Sequence, residues 1–278
     1  MTTTLRLTTV LCALMLGAGS GAASAADPAA PLVIGETFTI ASKALGETRR
    51  INVYLPPGYL DSREARMPVL YMPDGGMAED FLHVAGLVQV SVGNGIMRPF
   101  LLVGIENTER RRDLTGPTEN AEDKKIAPRV GGSELFRKFL REELMPEVKE
   151  RYRTTEESAI VGESLAGLFV VETLSLEPEL FDSYLAFDPS LWWNNAALVK
   201  GVAKKLRENP KLEKKLYFAS SDEKGIITGT EQLADVLSRD APPGLHWHYE
   251  KMPEEKHSTI YHPAALRAFR AVFPPPEK

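Results

Sequence analysis

The sequence predicts an α/β fold, one mostly parallel sheet with helices on both faces, and three observations carry that expectation. Short apolar runs without alternation, such as Val69-Leu70-Tyr71-Met72 and Leu101-Leu102-Val103, read as strands covered on both faces. Segments of helical periodicity separate such runs along the chain, and this alternation winds strands into a parallel sheet. One run, Ala159-Ile160-Val161, leads through Gly162-Glu163-Ser164 directly into an apolar segment long enough for a helix.

At the N-terminus, Arg6 is followed by the apolar run Val10 to Gly17 and then by Ala23-Ser24-Ala25. This is the layout of a secretory signal peptide, with cleavage expected after Ala25. The run is too short to anchor the chain across a bilayer. Residues 26–278 are expected to form a single domain, which a chain of about 250 residues can supply with one large core.

The elements follow in order. Phe38-Thr39-Ile40 and Arg50 to Leu55 read as early antiparallel strands around a turn near Gly46, closed by Pro56-Pro57-Gly58. Met67 to Met72 is a buried strand running into Pro73-Asp74-Gly75-Gly76, with a helical pattern after it to about Val90 and another buried strand over Pro99 to Ile105. Residues 106–132 lack periodicity and carry Arg110, Arg111 and Arg112; a connection of that length is often functional. From Ser133 an amphipathic helix places Leu135, Phe136, Phe139, Leu140 and Leu144 together, and Pro146 kinks or divides it. Beyond the central strand, strands are expected at Ser183–Phe187, Lys215–Ala219 and His246–Glu250, the last an alternating edge type. Helices are expected over Ala196–Glu208, Thr230–Arg239 and Pro263–Val272.

Composition excludes some classes of function. The net charge of −5 becomes −6 once a leader whose only charge is Arg6 is removed, and the scattered charge offers no footprint for nucleic acid. The single cysteine, Cys12, lies in that leader, so neither disulfides nor a thiol nucleophile is expected in the mature protein. No metal or organic cofactor is expected. The partner is a small molecule.

The Gly162-Glu163-Ser164-Leu165-Ala166-Gly167 stretch carries chemistry. To expose a hydroxyl at the end of a sheet the chain must reverse sharply, which requires small neighbours, and Gly162, Ala166 and Gly167 supply them. A serine that only caps the helix is the structural alternative. A hydroxyl is a poor nucleophile without a base beside it and a third group orienting that base. Of the five histidines, His257 lies in a polar loop after the last strand, where it emerges on the rim that Ser164 occupies. His83 falls in a helical pattern, His262 starts the terminal helix, and His246 and His248 share one strand face without a third metal ligand. For the orienting acid, Asp222 and Glu223 both stand just past a strand end, in the chain order serine, acid, histidine. The N–H of Leu165 is one expected oxyanion donor, and Gly76 or Met77 the other.

These residues resemble the putative-esterase family of α/β-hydrolases, which includes esterase D and the enterochelin and salmochelin esterases. The resemblance rests on Pro68 to Gly76, Gly162 to Val170, Pro189-Ser190-Leu191-Trp192-Trp193 and His257-Ser258-Thr259, and it runs through nearly the whole mature chain in order. It implies the α/β-hydrolase fold, Ser164 as nucleophile and His257 as base. It favours Glu223 over Asp222 as acid, although some siderophore-esterase relatives work with serine and histidine alone. The chain departs from the family pattern at Ala166, and at Asp188, where serine is frequent before Pro-Ser-Leu-Trp-Trp. Arg111, Arg112, Trp192 and Trp193 are the candidate substrate-binding residues. The function expected is extracytoplasmic (periplasmic or secreted) hydrolysis of a carboxylic ester through an acyl-enzyme, with a siderophore, feruloyl or simple acyl ester as substrate. An acyltransferase and a non-catalytic binding protein on the same fold are the alternatives.

Overall fold

Eight strands form one sheet in the order β1-β2-β4-β3-β5-β6-β7-β8 in the computed structural model, which describes residues 29–276. The expected leader, residues 1–25, lies outside the described residues. A compact unit begins at Ile34, and residues 29–33 before it have no regular structure.

The first two strands, β1 (Glu36–Ser42) and β2 (Glu47–Tyr54), form an antiparallel hairpin. Its turn closes with Gly46, at φ +68°, donating to the Ser42 carbonyl over 3.0 Å. β2 pairs antiparallel with β4 (Leu101–Ile105), and every later pairing is parallel: β3 (Met67–Pro73), β5 (Thr154–Glu163), β6 (Ser183–Phe187), β7 (Lys214–Ser220) and β8 (Leu245–Lys251). β3, β4 and β6 are buried at every position, as strands covered on both faces must be. β8 alternates and stands at the end of the sheet, which agrees with the edge strand expected there.

Alternate side chains of each strand enter opposite cores. Val69 and Tyr71 pack with Phe136 of α3 (Ser133–Phe139), Phe169 of α5 (Leu165–Leu176), Val199 of α6 (Trp193–Glu208) and Leu233 of α7 (Lys224–Asp240). Leu70 and Met72 pack with α1 (Phe81–Gly93) and α8 (Tyr261–Val272). Two layers of helix therefore enclose the sheet. The helix broken by Pro146 continues as a π turn, Leu140–Leu144, into α4 (Met145–Arg151), with the proline in its first turn. There the missing N–H is least costly.

Residues 106–132 are ordered by ion pairs. They contain the short α2 (Arg110–Asp113), tied to β2 through the fully buried Arg49. Arg49 Nη1 meets Asp113 at 2.5 Å and Glu47 at 3.0 Å, and Nη2 donates to the Glu106 carbonyl at 2.9 Å. A charge this buried is tolerable only when paired in this way. The loop is thereby fixed at the end of the sheet where β3, β5 and β6 finish.

Candidate active site

Ser164 stands between β5 and α5 with φ +59° and ψ −119°, a region that a side chain bearing Cβ enters at a cost of about 1–3 kcal/mol. The turn is held by its own backbone: Ser164 N–H donates to the Phe187 carbonyl at 3.0 Å, and its carbonyl accepts from Leu168 at 2.9 Å and Ser190 at 3.0 Å. Gly162 is obligatory here, since a Cβ on it would lie 2.6 Å from Ala166 Cβ and 2.7 Å from the Ala166 carbonyl carbon. Ala166 itself is fully buried in the turn, so the departure from the usual small-residue pattern is accommodated by the bare Cα opposite.

His257 reaches the serine. Its Nε2 is 3.1 Å from Ser164 Oγ. The loop carrying it is pinned to neighbouring strand ends by Met252 N–H to the Ser220 carbonyl at 2.8 Å and Asp222 N–H to the Glu255 carbonyl at 3.1 Å.

The acid beside the imidazole is neither of those expected. Asp188 Oδ2 lies 2.9 Å from His257 Nδ1, and Asp188 is fully buried. Its oxygens also accept the Ser221 N–H and hydroxyl, each at 2.6 Å. The register explains the choice: Glu163 of β5 pairs with Phe187 of β6, so Ser164 and Asp188 are the next residues off adjacent strands. Asp222 and Glu223 leave β7, one strand further away. Asp222 pairs with Lys256, whereas Glu223 is exposed and stands just before α7, only its backbone carbonyl bonded into the helix. Asp188, at φ +41°, turns its carboxylate back toward the serine's strand. The signal was present as the aspartate just past the apolar run Leu185-Ala186-Phe187, but its meaning depended on strand order.

Electrostatics follow the contacts. The Asp188 hydrogen bond holds the His257 imidazolium, raising its pKa above the usual value of 6.5 against the opposing effect of partial burial. Glu163 is also at this site, Oε1 lying 3.2 Å from His257 Nδ1. Burial pushes its carboxyl from 4.5 up to about 8, with His257 and Arg110 opposing and Asp188 and Asp74 reinforcing that rise. Glu163, Asp188 and His257 are the group with metal-ligand chemistry found among the described residues, their donor atoms within 4.8 Å of one another. The hydrogen bonds to Asp188 and Ser164 on opposite ring nitrogens suit proton transfer. His246 and His248 join no such group among the described residues.

The expected oxyanion donors divide. The Gly76 N–H is already bound to the Glu79 carboxylate at 2.7 Å, which removes it as a donor to substrate. A carboxylate three residues on was the clue in the sequence. Leu165 and Met77 have backbone N–H groups without a protein acceptor among the described residues. The Gly75-Gly76 turn packs so tightly that a Cβ on Gly75 would lie 2.3 Å from Gly104 Cα.

The candidate substrate residues divide likewise. Trp193 is buried, its indole N–H donating to the Gly116 carbonyl at 2.9 Å, and it belongs to the core. Trp192 beside it is 40 % exposed. Arg112 is engaged by Glu47 at 2.7 Å and Asp113 at 2.6 Å, and this pairing holds Glu47 at a pKa of about 2. Arg111 donates to the Ile126 carbonyl at 2.5 Å and lines an open cleft of about 640 Å³ with Arg110, Arg112 and Arg129. Neither Ser164 nor His257 lines that cleft. Arg110 instead approaches the site, gripping Asp74 in the turn after β3 through Nε at 2.7 Å and Nη2 at 2.8 Å.

The chain is similar to known proteins over most of its length. The family model described as Putative esterase matches residues 42–261. Ferri-bacillibactin esterase BesA of Bacillus subtilis is 30 % identical over 171 residues, covering 55 % of this chain and 58 % of the relative. A siderophore triacetylfusarinine C esterase of Aspergillus fumigatus is 30 % identical over 182 residues, covering 61 % and 60 %. The chain thus spans 58 to 60 % of the length of these curated relatives. Among solved structures, an IroE-like serine hydrolase from Shewanella oneidensis superposes with a TM-score of 0.78 at 29 % identity, over 86 % of this chain and 80 % of that one.

Proposed function

This chain belongs to the esterase family, and from that premise we propose that it is a serine hydrolase of carboxylic esters, acting on a siderophore-type ester outside the cytoplasm. The observation that carries the chemistry is the continuous relay from Ser164 Oγ to His257 Nε2 at 3.1 Å and from His257 Nδ1 to Asp188 at 2.9 Å, built on a strained turn. The siderophore class is supported by the siderophore esters on which those relatives act, and the location by the leader pattern at residues 1–25. Among the described residues no helix is long and apolar enough to cross a membrane.

In this reading Ser164 Oγ attacks the ester carbonyl as His257 Nε2 takes its proton. Asp188 orients the neutral ring and stabilises the imidazolium. The oxyanion is received by the N–H groups of Leu165 and Met77. His257 then protonates the departing alcohol, and water attacks the acyl-enzyme by the same route. Trp192 offers an exposed aromatic surface two residues beyond Ser190, whose Oγ lies 3.4 Å from Ser164 Oγ.

A fluorophosphonate probe and two substrate sets test the proposal. Wild-type protein is expected to take one label that Ser164→Ala abolishes, and to open an enterobactin-like trilactone faster than p-nitrophenyl esters. An unlabelled wild type would favour the binding module. Slow, equal turnover of every aryl ester with none of the trilactone would remove the siderophore class, and ester products formed with a competing alcohol would point to acyl transfer.

A further inference from the structure

Two carboxyl groups face one ring nitrogen. His257 Nδ1 lies 2.9 Å from Asp188 Oδ2 and 3.2 Å from Glu163 Oε1, yet an imidazole carries a single hydrogen there. Asp188 already receives two hydrogen bonds from Ser221. Glu163 is in the opposite condition: Oε1 is buried and accepts no hydrogen bond among the described residues, and the side chain is only 15 % exposed. An acceptor left in that state is costly unless it finds a donor or holds a proton.

Its position is fixed by the backbone. Glu163 is the last residue of β5, paired with Phe187 and adjacent to Ser164. The groups facing it are His257 from the loop before α8, Arg110 from α2, Asp74 from the turn after β3 and Asp188 from the end of β6. The buried Tyr261 of α8 is also influenced by Glu163, Asp74 and Asp80. The imidazole Nδ1 of His257 lies 3.2 Å from Glu163 Oε1.

We propose that Glu163 is a second positioning carboxyl of this site, able to accept the Nδ1–H of His257 beside Asp188 and to stabilise the imidazolium formed when Ser164 gives up its proton. This rests on the hydrolase reading and adds a residue to it. Because burial keeps the Glu163 carboxyl protonated up to about pH 8, its charge joins the site only in the alkaline range. Arg110 and His257 favour that ionisation, whereas Asp188 and Asp74 resist it.

The test compares wild type, Glu163→Gln, Asp188→Asn and the double variant by the pH dependence of kcat/KM on a p-nitrophenyl ester. It adds an NMR titration of the His257 ring in the Ser164→Ala background. Wild type is expected to show two ascending steps, the upper one near pH 8, and Glu163→Gln to keep only the lower. Asp188→Asn is expected to lose about 10–100-fold, less than the ~10⁴ seen where a lone acid is replaced, and the double variant at least ~10-fold more. In wild type the His257 ring signals are expected to shift a second time as Glu163 ionises near pH 8, a step absent from Glu163→Gln. A pH profile of unchanged shape, a second His257 shift that persists in Glu163→Gln and a double variant equal to Asp188→Asn would overturn the proposal, as would a uniform loss at every pH. A wild type that cleaves no ester and takes no fluorophosphonate label would end the hydrolase reading itself; a labelled, active wild type with an indifferent Glu163→Gln ends only this inference.

Discussion

The carboxylate of Asp188 lies 2.9 Å from His257 Nδ1 although 69 residues separate them, and Ser221 holds both of its oxygens in place. The acid of the relay thus leaves the strand next to the nucleophile's own. Asp188→Asn is expected to lower kcat/KM by about 10–100-fold, whereas Glu223→Gln and Asp222→Asn stay within about twofold, because neither touches the imidazole. Steady-state kinetics on one p-nitrophenyl ester decides this. A large loss in Glu223→Gln with none in Asp188→Asn would reverse the assignment.

Activity should depend on pH through His257. Its proton is held by Asp188, so its pKa stands above 6.5, and only the unprotonated ring can accept the Ser164 proton. The kcat/KM profile is expected to rise with pH through a first inflection above 6.5. An inflection below that value in wild-type protein would contradict the paired geometry.

The sequence made Ser164 and His257 legible because each obeys a local demand. A serine at an abrupt strand-to-helix turn needs small neighbours, and a base needs a loop at the same rim. Asp188 was visible as a departure from the family pattern, but its role needed the order β5-β6-β7, which no local signal encodes. Gly76 differs for a related reason: only the fold brings the Glu79 carboxylate onto its N–H, at 2.7 Å. Composition likewise could not tell which of two adjacent tryptophans faces the core. The alternation of strands and helices was clear throughout, while the short α2 inside residues 106–132 was not, because Arg49 and Glu47 of β2 hold its Asp113 and Arg112 from outside, where its own periodicity does not show them.

The two tryptophans should separate by experiment. Trp193→Phe removes the donor to the buried Gly116 carbonyl and is expected to destabilise the fold by about 1–3 kcal/mol, with KM little changed. Trp192→Ala is expected to leave thermal unfolding within about 0.5 kcal/mol of wild type, as surface changes usually do, and to raise KM for aromatic esters. Matched unfolding and kinetic measurements on the pair would expose an exchange of roles.

A methyl group at Gly162 tests the turn. The added Cβ meets Ala166 Cβ at 2.6 Å and the adjoining backbone at 2.7 Å, so β5 and α5 must move apart. Gly162→Ala is expected to cost about 1–3 kcal/mol of stability and to displace Ser164 from His257, with activity falling at least ~100-fold. Full activity in a normally folded variant would mean that the turn tolerates a wider separation than its packing indicates.

Glu163 should also register in stability, independently of any substrate. Its carboxyl titrates near 4.5 in an unfolded chain and near 8 when folded, so the unfolded state loses the proton first as pH rises. Below about 4.5 both states are protonated and the folded protein keeps the full benefit of burying a neutral acid. Through the interval up to about 8 the unfolded state binds fewer protons, and stability falls by up to ~1.4 kcal/mol per pH unit. His257, also raised, has the same sign and contributes in both proteins. Glutamine cannot titrate, so Glu163→Gln should gain on wild type steadily across that interval when unfolding is followed in denaturant at a series of pH values. A difference that stays flat with pH would show that Glu163 is charged in the folded protein throughout.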